Sequence, residues 1–481
     1  MRTRTCSEPE SSQSAHGADA AVALELPPYA GKAIDALEAA GHESWVVGGC
    51  VRDALLGRGS TDVDIATRAP WREAQRAFEA LGWRTHETGT AHGTLTVVID
   101  GRPVEVTTFR ADGAYEDARH PKRVSFVRTI EEDLARRDFT VNALAYHPER
   151  GLLDPCGGRA DLDRRLIRAV GDPDRRFSED ALRILRACRF VAQLGFSIDE
   201  ATYRGMLANK GLLARISAER VAHELSALLL GPFAGTALVS TVDALSAALP
   251  ELVSMKEFEQ RTPYHIYDVL EHTAHVVDGV PAYPLVRWAA LFHDMGKPAA
   301  FFTDEAGVGH FYGHADISVQ LARGVLRRLS MPTSFSERVL ELVKRHDDDV
   351  DATPKAVKRA LARLGGDQEL FAALCDLKRG DARGQAPHCI GRVALADELE
   401  EVLAGIVAAD EAFSLKQLAI DGRDAMDSGV PQGPSVGAAL AAALDAVIDE
   451  RVPNDRAALL AFVADWREGC GREDRSPSSS S

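Results

Sequence analysis

Apolar runs typical of β-strands occur only before about residue 160 of this 481-residue chain. They lie at residues 45–47, 63–66, 94–99, 104–109 and 144–146. Later in the chain, apolar residues recur with the period of amphipathic helices, for example at 181–194, 218–230, 267–277, 285–293, 319–329 and 336–345. The sequence therefore predicts an α+β protein, in which an α/β head is followed by a long all-helical part.

The composition is typical of soluble globular proteins, with 45% hydrophobic and 27% charged residues. No apolar run approaches the length that spans a bilayer and no secretory signal is evident, so we expect no membrane partner. Seven cysteines without a CxxC pair favour a reduced protein with a cytoplasmic location.

The formal net charge of −16 disfavours indiscriminate binding to nucleic acid, because non-specific affinity comes largely from phosphate neutralisation. A local basic face can still carry such binding. The residues that could form this face are Lys122, Arg123, Arg136, Arg159, Arg164, Arg165 and Arg168.

A glycine pair, Gly48 and Gly49, separates the apolar run at 45–47 from a helix-like stretch at 51–56. A tight glycine turn between a strand and a helix exposes backbone N–H groups that favour an anion. Arg52 suits a triphosphate, and Asp53 completes the predicted binding set of this turn. An ordinary strand–turn–helix corner is the alternative for the glycine pair alone.

Two carboxylates, Asp62 and Asp64, occupy alternate positions of a predicted strand. They would share one face, about 7 Å apart along the chain, where they could hold Mg²⁺ for phosphoryl-group transfer. Glu105 lies in a second strand after an Asp100-Gly101 hairpin turn and could supply a third carboxylate. A solvent-facing strand residue is the alternative for Glu105.

Two further clusters carry groups that can bind a nucleotide. In the stretch 136–142, Arg137 suits a triphosphate and Asp138 a ribose hydroxyl, and Asn142 belongs to the same set. Further on, charged residues recur at every third position and would form a stripe along one side of a helix. The members of this stripe are Asp180, Arg183, Arg186 and Arg189. Such a stripe could address a base edge or be a solvated helix face.

The helical part contains a second constellation of potential metal ligands. Its residues are His272, His293, Asp294, His314, His346 and Asp381. Imidazole and carboxylate ligands suit a divalent transition metal or Mn²⁺ better than Mg²⁺ alone.

Six motifs occur in order over roughly residues 30–230: GGCVRDALLG, DVD, RRDFTVNALAY, DPCGG followed by DL, SEDALRILRACRF and ISAERVAHEL. On these motifs the chain resembles the class II tRNA nucleotidyltransferase and bacterial poly(A) polymerase family. The resemblance implies a polymerase-β-like head in which Asp62 and Asp64 bind Mg²⁺ and activate an RNA 3′ hydroxyl. Asp180 and Arg183 would pair with the base of CTP or ATP.

The same resemblance assigns roles to the remaining residues. Gly49, Arg52 and Arg137 would contact the incoming nucleotide and Asp138 its ribose, while Arg186 and Arg189 would support that nucleotide. Glu219 and Arg220 would shape the pocket, and residues 115–126 resemble the flexible loop needed to add the terminal A. Residues 420–422 and 429–436 resemble the closing segment of Gram-positive-type members, which places tRNA-holding helices at the C-terminal end.

Residues 263–395 resemble the HD phosphohydrolase domain. The resemblance maps the four core ligands to His272, His293, Asp294 and Asp381, and the extra ligands of two-metal members to His314 and His346. Some tRNA nucleotidyltransferases carry an HD domain with phosphodiesterase, nucleotidase and phosphatase activity. A domain that serves only as a tRNA-binding scaffold is the alternative.

The predicted function is addition or repair of the 3′-terminal CCA of tRNA from CTP and ATP, with Mg²⁺ in the head and a divalent transition metal or Mg²⁺ in the HD domain. A poly(A) polymerase or A-adding enzyme is an alternative, and an HD phosphohydrolase with an RNA-binding head is another. The predicted divisions are a disordered tail at 1–26, the head at 27–158, a neck and body at 159–262, the HD domain at 263–395, an RNA-binding segment at 396–468 and a disordered tail at 469–481.

Overall fold

The computed structural model describes residues 23–59, 62–112 and 124–473. The expectations for most of the 115–126 loop, for Lys122 and Arg123, and for nearly all of the two tails lie outside these described residues. Within them the chain forms two compact units, residues 1–220 and 221–481.

The first unit contains a mixed sheet and short helices. Its strands are β1 (Ser44–Val47), β2 (Val63–Thr67), β3 (Arg84–Gly89), β4 (Thr94–Ile99), β5 (Arg102–Thr108), β6 (Arg110–Asp112), β7 (Val124–Phe126), β8 (Ala145–His147), β9 (Gly151–Leu153), β10 (Leu166–Ile167) and β11 (Ser197–Ile198). Its helices are α1 (Pro28–Ala39), α2 (Gly49–Leu55), α3 (Trp71–Ala80), α4 (Ile130–Ala135), α5 (Gly158–Asp163), α6 (Pro173–Glu179), α7 (Leu182–Leu194) and α8 (Glu200–Asn209).

Seven of these strands form one sheet in the order β3-β4-β5-β2-β1-β8-β9. Only β2 and β5 pair in parallel, and the other neighbours are antiparallel. The predicted hairpin is confirmed: Ile99 pairs with Arg102, and both turn residues, Asp100 and Gly101, have positive φ. Two-residue turns of this kind match the twist of paired strands.

Two strands of this sheet were not predicted, and both lie at its edges. β3 reads Arg-Thr-His-Glu-Thr-Gly and is largely exposed, so it lacks the apolar alternation by which strands are recognised. β9 has only three residues. Pairing with β4 and β8, rather than local pattern, makes these segments strands.

The sheet buries an apolar face against the helices that follow it. Trp45 and Val47 of β1 pack with Phe109, Leu134 and Ala145 in one core cluster. In β2 the pattern alternates, since Val63 and Ile65 are buried whereas Asp64 is exposed. The packing therefore turns the carboxylate of Asp64 away from the core.

The second unit is helical apart from a two-stranded hairpin, β12 (Phe302–Thr303) and β13 (Gly309–His310), among the described residues. The unit boundary falls within α9 (Ala218–Leu229). The helices that follow are α10 (Ala234–Ser240), α11 (Val242–Leu245), α12 (Val269–Gly279), α13 (Pro284–Phe292), α14 (Lys297–Ala300), α15 (His314–Arg328), α16 (Thr333–Arg345), α17 (Pro354–Arg363), α18 (Gln368–Gly384), α19 (Gly391–Ala408), α20 (Gly422–Asp427), α21 (Pro434–Ile448) and α22 (Arg456–Glu473).

The last three helices share a core of their own. Leu444 and Ile448 of α21 pack with Leu459 and Val463 of α22. Asp421 begins α20 with a capping box, in which its side chain accepts from the backbone of Asp424 and the Asp424 side chain accepts in return. α22 continues to Glu473, past the predicted start of the tail at 469.

In the described part of the chain, no single helix is long and apolar enough to cross a membrane, although the bent pair α9 and α10 together passes that test by length and composition.

Candidate functional site

The glycine turn has a backbone that only glycine adopts readily. Gly48 has φ 74° and ψ −134° and directly precedes α2. A Cβ atom at this position would lie 2.8 Å from Nη1 of Arg137 and 3.9 Å from Oδ2 of Asp64. The missing side chain therefore lets a guanidinium and a carboxylate approach the turn.

Three carboxylates converge near this turn. Asp62 lies one residue ahead of β2, and like Asp64 it is exposed. Asp64 pairs in register with Glu105 on the parallel neighbour β5. The register thus brings Glu105 beside Asp64, which the sequence pattern alone left open.

The environment of these carboxylates favours a cation. Limited hydration inside the site raises the pKa of Asp64, and Asp62 raises it further, although Arg137 opposes the shift. Limited hydration likewise raises the pKa of Glu105, with a further contribution from Asp64. A divalent cation would relieve this repulsion, and oxygen-only ligands suit Mg²⁺.

Arg52 ties α2 to the 140–142 turn. Its Nε donates to Oδ1 of Asp53 at 2.9 Å, and its Nη1 donates to Oδ1 of Asn142 at 2.7 Å. The Arg52 guanidinium also lies over the Phe190 ring, 5.5 Å from its centroid. The linked side chains therefore line one side of the site beside the glycine turn; they are Arg52, Asp53 and Asn142.

A buried aspartate that the sequence did not reveal, Asp133, orients two arginines. Its Oδ1 accepts from Nε and Nη2 of Arg136 at 3.0 and 2.8 Å, and its Oδ2 accepts from Nη2 of Arg137 at 3.3 Å. Burial alone would raise the pKa of Asp133, but the two guanidinium groups lower it overall. The only available signal was its spacing of three and four residues from these arginines on a short helix.

Asp138 is held by Arg186. Nε and Nη2 of Arg186 donate to its Oδ2 at 2.8 and 2.6 Å, and the backbone N–H of Phe139 donates to its Oδ1 at 2.8 Å. Burial alone would raise the pKa of Asp138, but Arg186 outweighs this effect and lowers it to about 2. Asp138 is therefore a carboxylate across the neutral pH range.

The predicted stripe differs from the structure at its first member. Asp180 has φ −143° and ψ 104°, an extended backbone, and α7 begins only at Leu182. Its Oδ1 accepts from the backbone N–H of Leu182 at 3.0 Å, and its Oδ2 accepts from Arg220 at 3.3 Å. Asp180 thus precedes the helix rather than lying on its face.

Arg183 is buried among acceptors of the protein itself. Its Nη1 donates to the carbonyl of Arg176 and to Oε2 of Glu179, each at 3.0 Å, and its Nη2 donates to the carbonyl of Arg136 at 3.2 Å. Arg176 donates to the same Arg136 carbonyl at 2.9 Å. These bonds fix α7 against the end of α4, an arrangement that sequence spacing could not show.

One cavity of about 800 Å³ is lined by all the predicted catalytic and nucleotide-binding residues of the first unit, but not by Glu219. The predicted residues that line it are Gly48, Gly49, Arg52, Asp53, Asp62, Asp64, Glu105, Arg137, Asp138, Asn142, Asp180, Arg183, Arg186 and Arg189. It is also lined by residues to which the sequence assigned no part in this site, among them His92, Arg110, Phe190 and Gln193. The stripe on α7 therefore faces a cavity rather than bulk solvent.

The second unit brings the six predicted metal ligands together. Each of the four histidines in this ligand set places Nδ1 within hydrogen-bond distance of a backbone carbonyl: His272 at Gly384, His293 at Ala290, His314 at Phe311 and His346 at Val343, at 2.7–3.0 Å. Donation from Nδ1 leaves the Nε2 lone pairs for a metal, as is usual for histidine ligands.

The Nε2 atoms form two pairs on opposite sides of Asp294. Those of His272 and His293 are 3.2 Å apart, and each is 3.2 Å from Oδ2 of Asp294. Those of His314 and His346 are 3.1 Å apart and lie 3.3 and 3.7 Å from Oδ1. Asp294 could therefore bridge two cations.

Asp381 completes the first of these two groups, with its Oδ1 3.1 Å from Nε2 of His272. Burial alone would lower the pKa of His272, but Asp294 and Asp381 raise it to about 9. The surroundings of this nitrogen therefore favour positive charge, as a bound cation would supply. Lys297, missed by the sequence analysis, places Nζ 2.7 Å from Oδ2 of Asp294.

Family models match most of the chain in successive pieces. The poly A polymerase head domain matches residues 44–168, and the HD domain matches residues 263–401. A model of an RNA- and SrmB-binding site of polymerase A matches residues 195–253, and tRNA nucleotidyltransferase domain 2 matches residues 392–463.

Two curated relatives carry the same name. A CCA-adding enzyme of Geobacillus thermodenitrificans is 46% identical over 257 residues, which cover 53% of this chain and 60% of the relative. The chain thus matches less than two thirds of that relative's length. A CCA-adding enzyme of Geobacillus stearothermophilus is 34% identical over 447 residues, which cover 89% of this chain and 95% of the relative.

A solved structure agrees with these alignments. The crystal structure of the Bacillus stearothermophilus CCA-adding enzyme in complex with CTP is 31% identical and superposes with a TM-score of 0.72. The match covers 93% of this chain and 100% of that chain. The predicted fold class, a polymerase-β-like head followed by helical domains, is confirmed.

Proposed function

The chain belongs to the family of CCA-adding enzymes, and from this premise we propose that it adds or repairs the 3′-terminal CCA of tRNA from CTP and ATP. The observation that carries the proposal is the cavity of the first unit, where Asp62, Asp64 and Glu105 face a set of arginines. Carboxylates for a metal and guanidinium groups for phosphates are the parts that phosphoryl transfer needs.

The carboxylates Asp62, Asp64 and Glu105 would hold Mg²⁺ in the head. When bound, this cation would activate the attacking 3′ hydroxyl and neutralise charge on the leaving phosphates. Arg52 and Arg137 flank the glycine turn and would contact the triphosphate, where planar guanidinium groups bind bidentately. Asp138, ionised and fixed by Arg186, would accept a hydrogen bond from a ribose hydroxyl.

Asp180 and Arg183 would select the base. Cytosine and adenine both present an exocyclic amine beside an unprotonated ring nitrogen, whereas uracil and guanine present the reverse pattern. A carboxylate can accept from the amine while a guanidinium donates to the ring nitrogen. At 3.3 Å the hydrogen bond from Arg220 to Asp180 is long and therefore weak. An amine of the substrate could replace Arg220 as the donor to Asp180.

The test uses three RNAs: a tRNA that lacks CCA, a tRNA ending in CC, and an unstructured RNA, each with CTP and ATP separately and together. Ordered addition of C, C and A that then stops is expected. The double substitution D62A/D64A should abolish incorporation because it removes two of the three carboxylates that would hold the metal, while circular dichroism should stay unchanged. Long A tails or A addition alone would instead identify a poly(A) polymerase or an A-adding enzyme.

The second unit would hydrolyse phosphate esters at its HD centre. This proposal is supported by the six converging ligands and by the four histidines whose Nδ1 atoms lie at backbone carbonyls, which leaves their Nε2 atoms for a metal. The donor set suits a divalent transition metal, and Mg²⁺ is the alternative. Such a cation would supply a bound water of lowered pKa as the nucleophile.

The HD proposal predicts that H293A loses phosphatase activity on p-nitrophenyl phosphate with added Mn²⁺, because one metal loses a ligand. The control is H275A, which removes an exposed histidine of α12, the helix that carries the metal ligand His272. Both variants should keep CTP incorporation. Phosphatase activity without any nucleotide transfer in the unaltered protein would favour the alternative of a phosphohydrolase with an RNA-binding head. Absence of phosphatase activity from the unaltered protein would favour a scaffold role for the HD domain.

We further propose that the domains divide as the sequence predicts, with tRNA held by residues 396–468, and that the protein acts in the cytoplasm. The compact core shared by α21 and α22 supports a distinct C-terminal segment.

A further inference from the structure

An aromatic surface stands beside the HD centre, and the proposed hydrolysis does not require it. In the hairpin of β12 and β13, Phe302 pairs with His310. Their rings stack with centroids 5.3 Å apart, and the His310 ring stacks on Tyr312 at 5.5 Å. We call Phe302, His310 and Tyr312 the aromatic hairpin.

The aromatic hairpin is exposed yet held in place. Tyr312 is 77% and Phe302 46% exposed. Nε2 of His310 lies 2.9 Å from Oδ2 of Asp304, and the backbone N–H of Gly309 donates to the carbonyl of Arg261 at 2.8 Å. An aromatic surface that is presented to solvent on a fixed backbone can bind a ligand with little loss of conformational freedom.

Two of the three residues of the aromatic hairpin line the cavity of the metal ligands. His310 and Tyr312 line a space of about 360 Å³ together with Asp294, His314 and His346. Tyr312 lies two residues before His314 in the chain. The ligand that fits this cavity therefore has a flat apolar part beside a group that binds metal.

The cavity beside the aromatic hairpin also contains positively charged side chains. Lys297 and Arg392 line the same cavity. Lys297 is nearly buried, and its Nζ lies between Asp294 and Gln260, 2.8 Å from Oε1 of the latter. Two cationic side chains and a metal-binding carboxylate beside stacked rings match a nucleotide, which joins a phosphate to a flat base.

We propose that the aromatic hairpin binds the nucleobase of a nucleotide whose phosphate lies at the HD centre. The ligand is a free nucleotide or the 3′ end of an RNA, since both have this chemistry. Stacking on Tyr312 does not select a base, because every base has a π-face. The inference rests on the proposed hydrolytic role of the HD centre and adds to it the side chains that bind the base.

The test measures fluorescence quenching of 2-aminopurine by the full chain with added Mn²⁺. Two probes are used, 2-aminopurine riboside 3′-monophosphate and a short oligoribonucleotide that ends in the same nucleotide. Y312A should weaken binding by roughly tenfold or more, whereas Y312F should bind like the unaltered protein because the ring is retained. F233A, which removes an exposed aromatic side chain outside the cavity, is the control.

Equal binding by Y312A and the unaltered protein, or no quenching at all, would overturn the proposal. Any quenching from binding at the head is common to all variants and cancels in the comparison. Tighter binding of the oligoribonucleotide than of the mononucleotide identifies an RNA end as the ligand, and the reverse order identifies a free nucleotide; either supports the aromatic site. Tyr312-dependent quenching in a protein that shows no activity in the p-nitrophenyl phosphate assay would refute the hydrolytic role while leaving the aromatic site standing.

Discussion

At the scale of single residues, the candidate active site depends on a position where a side chain is missing. Gly48 combines a positive φ with the approach of Arg137 to 2.8 Å from the place of its absent Cβ. Arg137 is in turn held by Asp133. The turn and the arginine are therefore coupled, although about ninety residues separate them in the chain.

G48A should lower the free energy of unfolding by about 1–3 kcal/mol through backbone strain, and it should also abolish CTP incorporation because the new methyl group displaces Arg137. The matched control is G57A, since Gly57 also has positive φ but has no atom within 4 Å of its ideal Cβ. Urea unfolding and an incorporation assay measure the two effects. Retained incorporation by G48A would show that the position of Arg137 is not critical.

At the scale of elements, the site is assembled by ion pairs that join segments distant in sequence. Asp138 precedes the 140–142 turn, whereas its partner Arg186 belongs to α7. Arg183 and Arg176 bind carbonyls at the end of α4. These contacts fix α7 so that its arginines face the cavity, while apolar positions such as Leu185 are buried.

The Asp138–Arg186 pair predicts a pH dependence of stability. The pKa of Asp138 falls from 3.8 to about 2 on folding, so the pair stabilises the protein above about pH 4, by about 2 kcal/mol, and this stabilisation is lost as the pH falls toward 2. D138N should therefore be less stable than the unaltered protein at neutral pH and approach it below about pH 3.

Urea unfolding at several pH values measures this difference. D163N, a substitution at an exposed aspartate of the same unit, should behave like the unaltered protein throughout. A deficit in D138N that stays constant with pH would show that hydrogen-bond geometry, rather than ionisation, stabilises this pair.

At the scale of the whole molecule, two sets of metal-binding residues belong to two separate compact units. The first set is made of oxygen ligands on a sheet, and the second is dominated by imidazole nitrogens on helices. Different donor atoms favour different cations. The two chemistries should therefore be separable by substitution, as the H293A and D62A/D64A variants test.

The sequence by itself determined the local features whose physics is local. The alternation of Asp62, Val63, Asp64 and Ile65 places both aspartates on one face, because successive strand residues point in opposite directions. The Asp100-Gly101 turn and the amphipathic helices follow equally from short-range sterics and periodicity. The ordered motifs then indicated the family and, through it, the site residues. Every predicted site residue of the head lines one cavity.

Only the tertiary structure decided which distant groups meet. The parallel register of β2 and β5 brings Glu105 beside Asp64, and no local pattern specifies that register. Lys297 and the aromatic hairpin carry no local signal, since a buried lysine and an exposed tyrosine differ from other such residues only in what surrounds them. Asp180 was predicted to lie on a helix, but α7 begins only at Leu182. Long-range packing, rather than residue spacing, determines these contacts.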